Sequence, residues 1–141
     1  MNLLRTLKLG CSFLLVFFSL QAVAATTVTA TRVWPAPDYT RITLESNKPI
    51  SYNLLRLKDP ERLVVDLVDV DLGSNLKSLS DRVLASDPYI RQIRVGNFKP
   101  GVVRMVIDLK TDIRPELATL LPAGEYQHRL VLDIYPALDP L

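Results

Sequence analysis

The chain is short of the residues from which most catalytic centres are built. Its 141 residues include one cysteine, one histidine and five glycines. A zinc hydrolase site typically takes three side-chain ligands from His, Cys, Asp or Glu, and His128 and Cys11 are the only imidazole and thiol here. The glycines never cluster into a phosphate-cradling loop. No Gly-x-Ser-x-Gly turn is present to present a serine nucleophile. His128 adjoins Arg129 at the start of an alternating segment and reads as an exposed or edge histidine. A long apolar run is also missing: Leu9 to Leu20 gives about 12 residues, short of the ~20 that span a bilayer as a helix.

That apolar run belongs to a different signal. Residues 1–24 combine a basic start (Arg5, Lys8), the apolar stretch and a small-residue end at Ala22-Val23-Ala24-Ala25. This is the pattern of a secretory leader cleaved after Ala24 or Ala25. There is no twin-Arg pair, so general secretion is the expected route. Cys11 precedes most of the apolar run, which excludes a lipoprotein reading, and cleavage leaves a chain without thiols or disulfides. It also removes two of the 17 Lys and Arg and none of the 15 Asp and Glu. The formal charge of +2 therefore belongs to the leader. A neutral domain is a poor match for nucleic acid, where phosphate neutralisation dominates affinity, and no membrane contact is expected after cleavage.

What the sequence does have is one phrase written four times: Arg, apolar, spacer, apolar, acid. The copies are Arg41-Ile42-Thr43-Leu44-Glu45, Arg62-Leu63-Val64-Val65-Asp66, Arg104-Met105-Val106-Ile107-Asp108 and Arg129-Leu130-Val131-Leu132-Asp133. In a strand, successive side chains alternate faces. Each copy thus puts its Arg, spacer and acid on one face and its apolar pair on the other. Further strands are expected at Val28 to Val33, Ile50 to Leu57, Ile90 to Val95 and Ile113 to Leu120, with Pro115 marking an edge or a strand start. Turns are expected at Trp34 to Tyr39, Lys58 to Glu61, Gly96 to Gly101 and Pro122 to Glu125.

The order of these segments repeats. Arg32 to Arg94 is an offset of 62, Arg41 to Arg104 of 63 and Arg62 to Arg129 of 67. The domain is therefore an internal duplication, with halves at about 28–70 and 88–136. Between them Leu76, Leu79 and Val83 share one helical face, predicting one short helix or helical turn within Ser74 to Ala85. The expected fold is all-β: a sandwich of two pseudo-symmetric four-stranded antiparallel sheets from the duplication, with one short helix between the halves. A closed barrel is the alternative. The apolar pairs would meet between the sheets.

The arginines and acids of the phrase are the surface candidates. Within one copy they lie roughly 13 Å apart by strand rise, so they can pair only with neighbouring strands. One reading is a self-paired ladder, each cross-strand pair contributing on the order of 0.2–1 kcal/mol. The other is an Arg-studded face receiving a polymer rich in carboxylates, amides and hydroxyls, since Arg binds carboxylates bidentately. The binding candidates are Arg41, Arg62, Arg104 and Arg129, with at least one of the pairs Arg41/Arg62 and Arg104/Arg129 meeting carboxylates. Trp34, Tyr39 and Phe98 are expected on two matching loops, placed either to stack on sugar rings or to plug the sandwich ends. No catalytic or metal-binding residue is assigned. The carboxylates sit in the repeated phrase, which favours a structural or binding role over glycoside hydrolysis.

Four stretches carry a family resemblance: Arg32-Val33-Trp34-Pro35-Ala36-Pro37-Asp38-Tyr39-Thr40-Arg41, Asp59-Pro60-Glu61-Arg62-Leu63-Val64-Val65-Asp66, Asp87-Pro88-Tyr89-Ile90 and His128-Arg129-Leu130-Val131-Leu132-Asp133-Ile134-Tyr135-Pro136. Together they closely resemble the AMIN domain over about residues 26–136. This is the N-terminal module of periplasmic N-acetylmuramoyl-L-alanine amidases of Gram-negative bacteria, with the AmiC-like branch the nearest match. The resemblance implies a β-sandwich of two symmetry-related sheets that binds peptidoglycan and directs an amidase to the division septum. In the family the amidase proper is a separate zinc domain activated by a LytM-type partner. Such domains also occur in type IV pilus secretins. Ala137 to Leu141 resembles the start of a linker, so this chain is expected to bind the wall without hydrolysing it, to need no cofactor (zinc belonging to the catalytic domain) and to meet division-site proteins. An envelope interaction domain without wall affinity, and an enzyme working through carboxylates alone, are the competing expectations.

Overall fold

The computed structural model describes residues 14–17 and 25–137. Most of the expected leader, and residues 138–141 of the expected linker, lie outside the described residues. Eight strands form: β1 (Val28–Pro35), β2 (Thr40–Ser46), β3 (Ser51–Leu57), β4 (Arg62–Val68), β5 (Ile90–Lys99), β6 (Val102–Leu109), β7 (Ile113–Leu120) and β8 (His128–Pro136). One α-helical turn, α1 (Ser74–Lys77), and a 3-10 turn (Ser78–Arg82) join the halves.

The strands build two antiparallel sheets, ordered β1-β2-β8-β7 and β3-β4-β6-β5. Each sheet takes two strands from each half of the sequence. Exchanging β1 with β5, β2 with β6, β3 with β7 and β4 with β8 converts one order into the other. The duplication therefore appears as two interlocked halves and not as two sheets side by side. The sheets keep separate edges, β1 and β7 in one and β3 and β5 in the other, which decides for a sandwich over a barrel.

The apolar pairs of the phrase meet between the sheets as their alternation predicts. Ile42, Leu44, Leu63, Val65, Met105, Ile107, Leu130 and Leu132 are all buried in one core cluster. Truncating such a side chain to Ala costs about 2–5 kcal/mol in comparable cores. Leu76 and Leu79 close one side of the sandwich, and Val83 packs partly buried against the same cluster.

The short helix or helical turn expected within Ser74 to Ala85 forms as one α-helical turn followed by a 3-10 turn. The expectations of turns at Gly96 to Gly101 and from Trp34 are corrected. Gly96, Asn97, Phe98 and Lys99 are strand, not turn. The reversal tightens onto Pro100 and Gly101, whose φ of 77° suits glycine. Trp34 likewise extends β1, so neither Trp34 nor Phe98 is a loop residue.

A buried carboxylate ties the second half to the first. Asp87 is 2% exposed. Its Oδ1 accepts the backbone N–H groups of Tyr89 and Ile90, each at 2.9 Å, and its Oδ2 accepts the Thr40 hydroxyl at 2.9 Å. Lys110 Nζ donates to the carbonyls of Ala85 and Asp87 beside it. The start of β2 is thereby fixed to the start of β5.

Candidate functional site

Antiparallel pairing of two Arg-to-acid phrases sets each Arg opposite the other's acid. The registers do this in both sheets: Arg41 faces Asp133 and Glu45 faces Arg129 across β2–β8, while Arg62 faces Asp108 and Asp66 faces Arg104 across β4–β6. One rung in each sheet closes. Arg41 Nε and Nη2 donate to Asp133 at 2.8 and 2.9 Å, and Arg104 does the same to Asp66 at 2.8 and 3.0 Å. These forks raise the pKa of Arg41 and Arg104, while the Arg104 hydrogen bonds hold Asp66 below the usual carboxylate range.

The second rung does not close, because a third arginine reaches in from the edge strand. Arg32 on β1 bonds Glu45 at 3.3 Å, and Arg94 on β5 bonds Asp108 at 2.8 and 3.0 Å. Glu45 also accepts the Gln127 N–H at 2.8 Å. That bond, with help from Arg32, lowers the Glu45 pKa. Burial pushes Asp108 up, but Arg94 and Gln92 outweigh it and leave its pKa low. Among the described residues, Arg129 and Arg62 are thus left without a carboxylate in ion-pair contact. Arg62 donates Nε to the Pro60 carbonyl at 3.1 Å.

The sequence grouped the arginines by chain order, and the sandwich regroups them. Arg41 and Arg129 lie on the outer face of β1-β2-β8-β7, with Arg62 and Arg104 on the outer face of the other sheet. Trp34 and Tyr39 join the first pair. Phe98 joins Arg104, whose guanidinium carbon sits 3.4 Å from its ring centroid.

The two outer faces are not equivalent. The first carries an open groove of about 830 Å³ lined by Arg32, Trp34, Tyr39, Arg41 and Arg129 among others. Its floor is Thr43 and Val131, buried on the central strands. Arg82 and Leu84 from the connector, Leu120 at the end of β7 and Tyr126 from the loop after it complete the lining. Trp34 is 69% exposed there. Tyr39 is more committed, stacked at 5.0 Å on Tyr135 and under Arg41 at 5.5 Å. On the second face the site equivalent to Trp34 is Gly96, each paired with the arginine that opens the phrase on the neighbouring strand, Arg41 or Arg104. That face has smaller depressions, about 380 Å³ beside Arg94 and Asp108 and about 260 Å³ around Arg94, Phe98 and Arg104.

Sequence reasoning missed Arg32, Arg82, Leu84, Leu120 and Tyr126. Arg32 was visible as the repeat partner of Arg94, but nothing in the spacing showed that it would capture Glu45. Tyr126 sits in an irregular loop whose position depends on the tertiary fold. Among the described residues no group of three or more His, Cys, Asp or Glu is placed to hold a metal ion, and no helix is long and apolar enough to cross a membrane.

Fold and groove together define a duplicated β-sandwich with one differentiated, arginine- and aromatic-lined face. The AMIN domain family matches residues 30–134, and the chain belongs to that family. It is 45% identical over 128 residues to the N-acetylmuramoyl-L-alanine amidase AmiC of Escherichia coli O6:H1, covering 91% of this chain and 31% of the relative. It is 44% identical over 125 residues to the amidase of the same name from Neisseria meningitidis serogroup B, covering 86% of this chain and 30% of that relative. The chain thus spans under a third of the length of these curated relatives.

Proposed function

We propose that this chain is a non-catalytic peptidoglycan-binding module associated with an N-acetylmuramoyl-L-alanine amidase. It acts in the periplasm after removal of a leader ending at Ala24 or Ala25, and it directs amidase action to the division septum. The observation that carries the reading is the groove. Guanidiniums, an exposed indole and a partly apolar floor sit together on one sheet face, which suits a polymer of sugars and short acidic peptides. Arg forks bind carboxylates, and aromatic faces accept the apolar side of a pyranose ring. Membership of a family whose matched relatives are N-acetylmuramoyl-L-alanine amidases supports a ligand that contains muramic acid and peptide.

The test is co-sedimentation of the exported chain with purified sacculi at moderate salt, with soluble muropeptide release measured in parallel. The expected result is protein in the pellet and no release with zinc supplied. Protein remaining in the supernatant would count against wall binding, and zinc-dependent release would overturn the non-catalytic assignment.

A further inference from the structure

The four phrase arginines have different fates, and one is left unsatisfied. Arg41 and Arg104 are consumed in bidentate forks with Asp133 and Asp66. Arg62 has its Nε on the Pro60 carbonyl. Arg129 faces Glu45 in the register and feels its charge, yet the hydrogen bonds to the Glu45 oxygens come from Arg32 and the Gln127 N–H. Arg129 keeps one long bond, Nη2 to the Leu121 carbonyl at 3.3 Å, and a position 4.8 Å from the Tyr126 ring centroid. Its Nε is buried with no acceptor in reach. That Nε is closed to solvent and so to any ligand oxygen of similar size, and what Arg129 offers the groove it lines is the outer, Nη part of its guanidinium. Arg32 lies on the same Tyr126 ring, 5.7 Å from the centroid, so a second cation stands beside it.

We infer that Arg129 anchors an anionic ligand in this groove, and that the anion is a carboxylate of the peptide part of peptidoglycan. The inference rests on the wall-binding reading above and narrows it. A guanidinium fork matches a carboxylate in plane and charge. Glycan strands stripped of their peptides still carry a carboxylate on each muramic acid, but it is held on a short arm beside the sugar ring. Arg129 lies within the groove, beside its floor of Thr43 and Val131, and a short-armed acid would have to bring its pyranose down onto the sheet. A peptide carboxylate ends a flexible chain and reaches in without that cost. Leu84 and Leu120 on the groove walls suit the methyl groups of alanine-rich peptides. An amidase module built this way holds uncut wall and releases the strand once its peptides are gone.

The experiment compares binding of the exported chain to three preparations: intact sacculi, sacculi whose carboxylates are capped as neutral amides with carbodiimide and glycinamide, and glycan strands stripped of peptide by an amidase. Intact sacculi should bind best, with the other two about tenfold weaker, the scale of one charge-assisted hydrogen bond. R129Q should lose about tenfold on intact sacculi and match the unmodified chain on capped ones. R129K should fall between, because it keeps the charge and loses the fork. K58Q, which removes an exposed charge on a distant turn, should bind normally. Equal binding of the unmodified chain to stripped strands would assign the anchor to the glycan. Equal binding to capped sacculi would show that no carboxylate is read. Either result overturns the proposal while leaving wall binding intact, whereas no binding to intact sacculi removes both. The capping arm stands even if R129Q fails to fold.

Discussion

At the residue scale, an ion pair is decided by which third group arrives. Glu45 and Asp108 each face an arginine of the neighbouring phrase, and each is claimed instead by an arginine from an edge strand. Glu45, Asp66 and Asp108 all have lowered pKa values in the fold. A carboxylate whose folded pKa is depressed contributes stability that is complete above its unfolded pKa and is lost as pH falls through the folded one. The thermal midpoint should therefore be flat from pH 7 to about 5 and decline below about 4, where free carboxylates begin to protonate. Glu45→Gln should cost about 1 kcal/mol at pH 7 and reduce that acid slope, read by urea titrations at several pH values. An unchanged slope would show that the Gln127 and Arg32 bonds do not hold Glu45 ionised.

At the element scale, what period two could reveal was legible. All eight strands, the buried apolar pairs and the duplication follow from alternation and offsets, because burying one sheet face writes itself into every second residue. Which strands pair does not, since the four phrases are chemically alike and any two would give an opposite-charge register. Gly96 to Lys99 resembled a turn because Gly and Asn favour turns, but the hairpin needs only Pro100 and Gly101 to reverse. The site was legible in part: Arg41, Arg129, Trp34 and Tyr39 meet in the groove, whereas Arg62, Arg104 and Phe98 lie on the opposite face. Asp87-Pro88-Tyr89-Ile90, quoted for its family likeness, proves structural. Asp87→Ala would orphan two backbone N–H groups and the Thr40 hydroxyl. The expected loss is on the order of 3 kcal/mol, seen as a lower urea midpoint with an unchanged m-value. A loss below about 1 kcal/mol would mean that water replaces the carboxylate.

At the scale of the whole molecule, duplication supplies two faces and two later features separate them. A chain of two repeats has only one connector between them, and here it packs against both β1 and β5 and contributes Arg82 and Leu84 to the groove of the first face. The second feature is the exchange of Trp34 for Gly96 at equivalent registers. A Cβ at Gly96 would meet nothing within 4 Å, so packing does not require the glycine and the bare position is a property of the surface. The phrase salt bridges remain symmetric while the groove does not, so on the proposed wall-binding function the ligand is expected at the unshared residues. Trp34→Ala should therefore weaken sacculus binding roughly 3- to 10-fold, the range of one aromatic contact, with the melting temperature nearly unchanged because the ring is mostly exposed. Phe98→Ala, on the opposite face, should bind as the unmodified chain does. A loss confined to Phe98→Ala would transfer the site to the β3-β4-β6-β5 sheet, and equal losses would mean that both faces hold wall and that the molecule kept its ancestral symmetry in function.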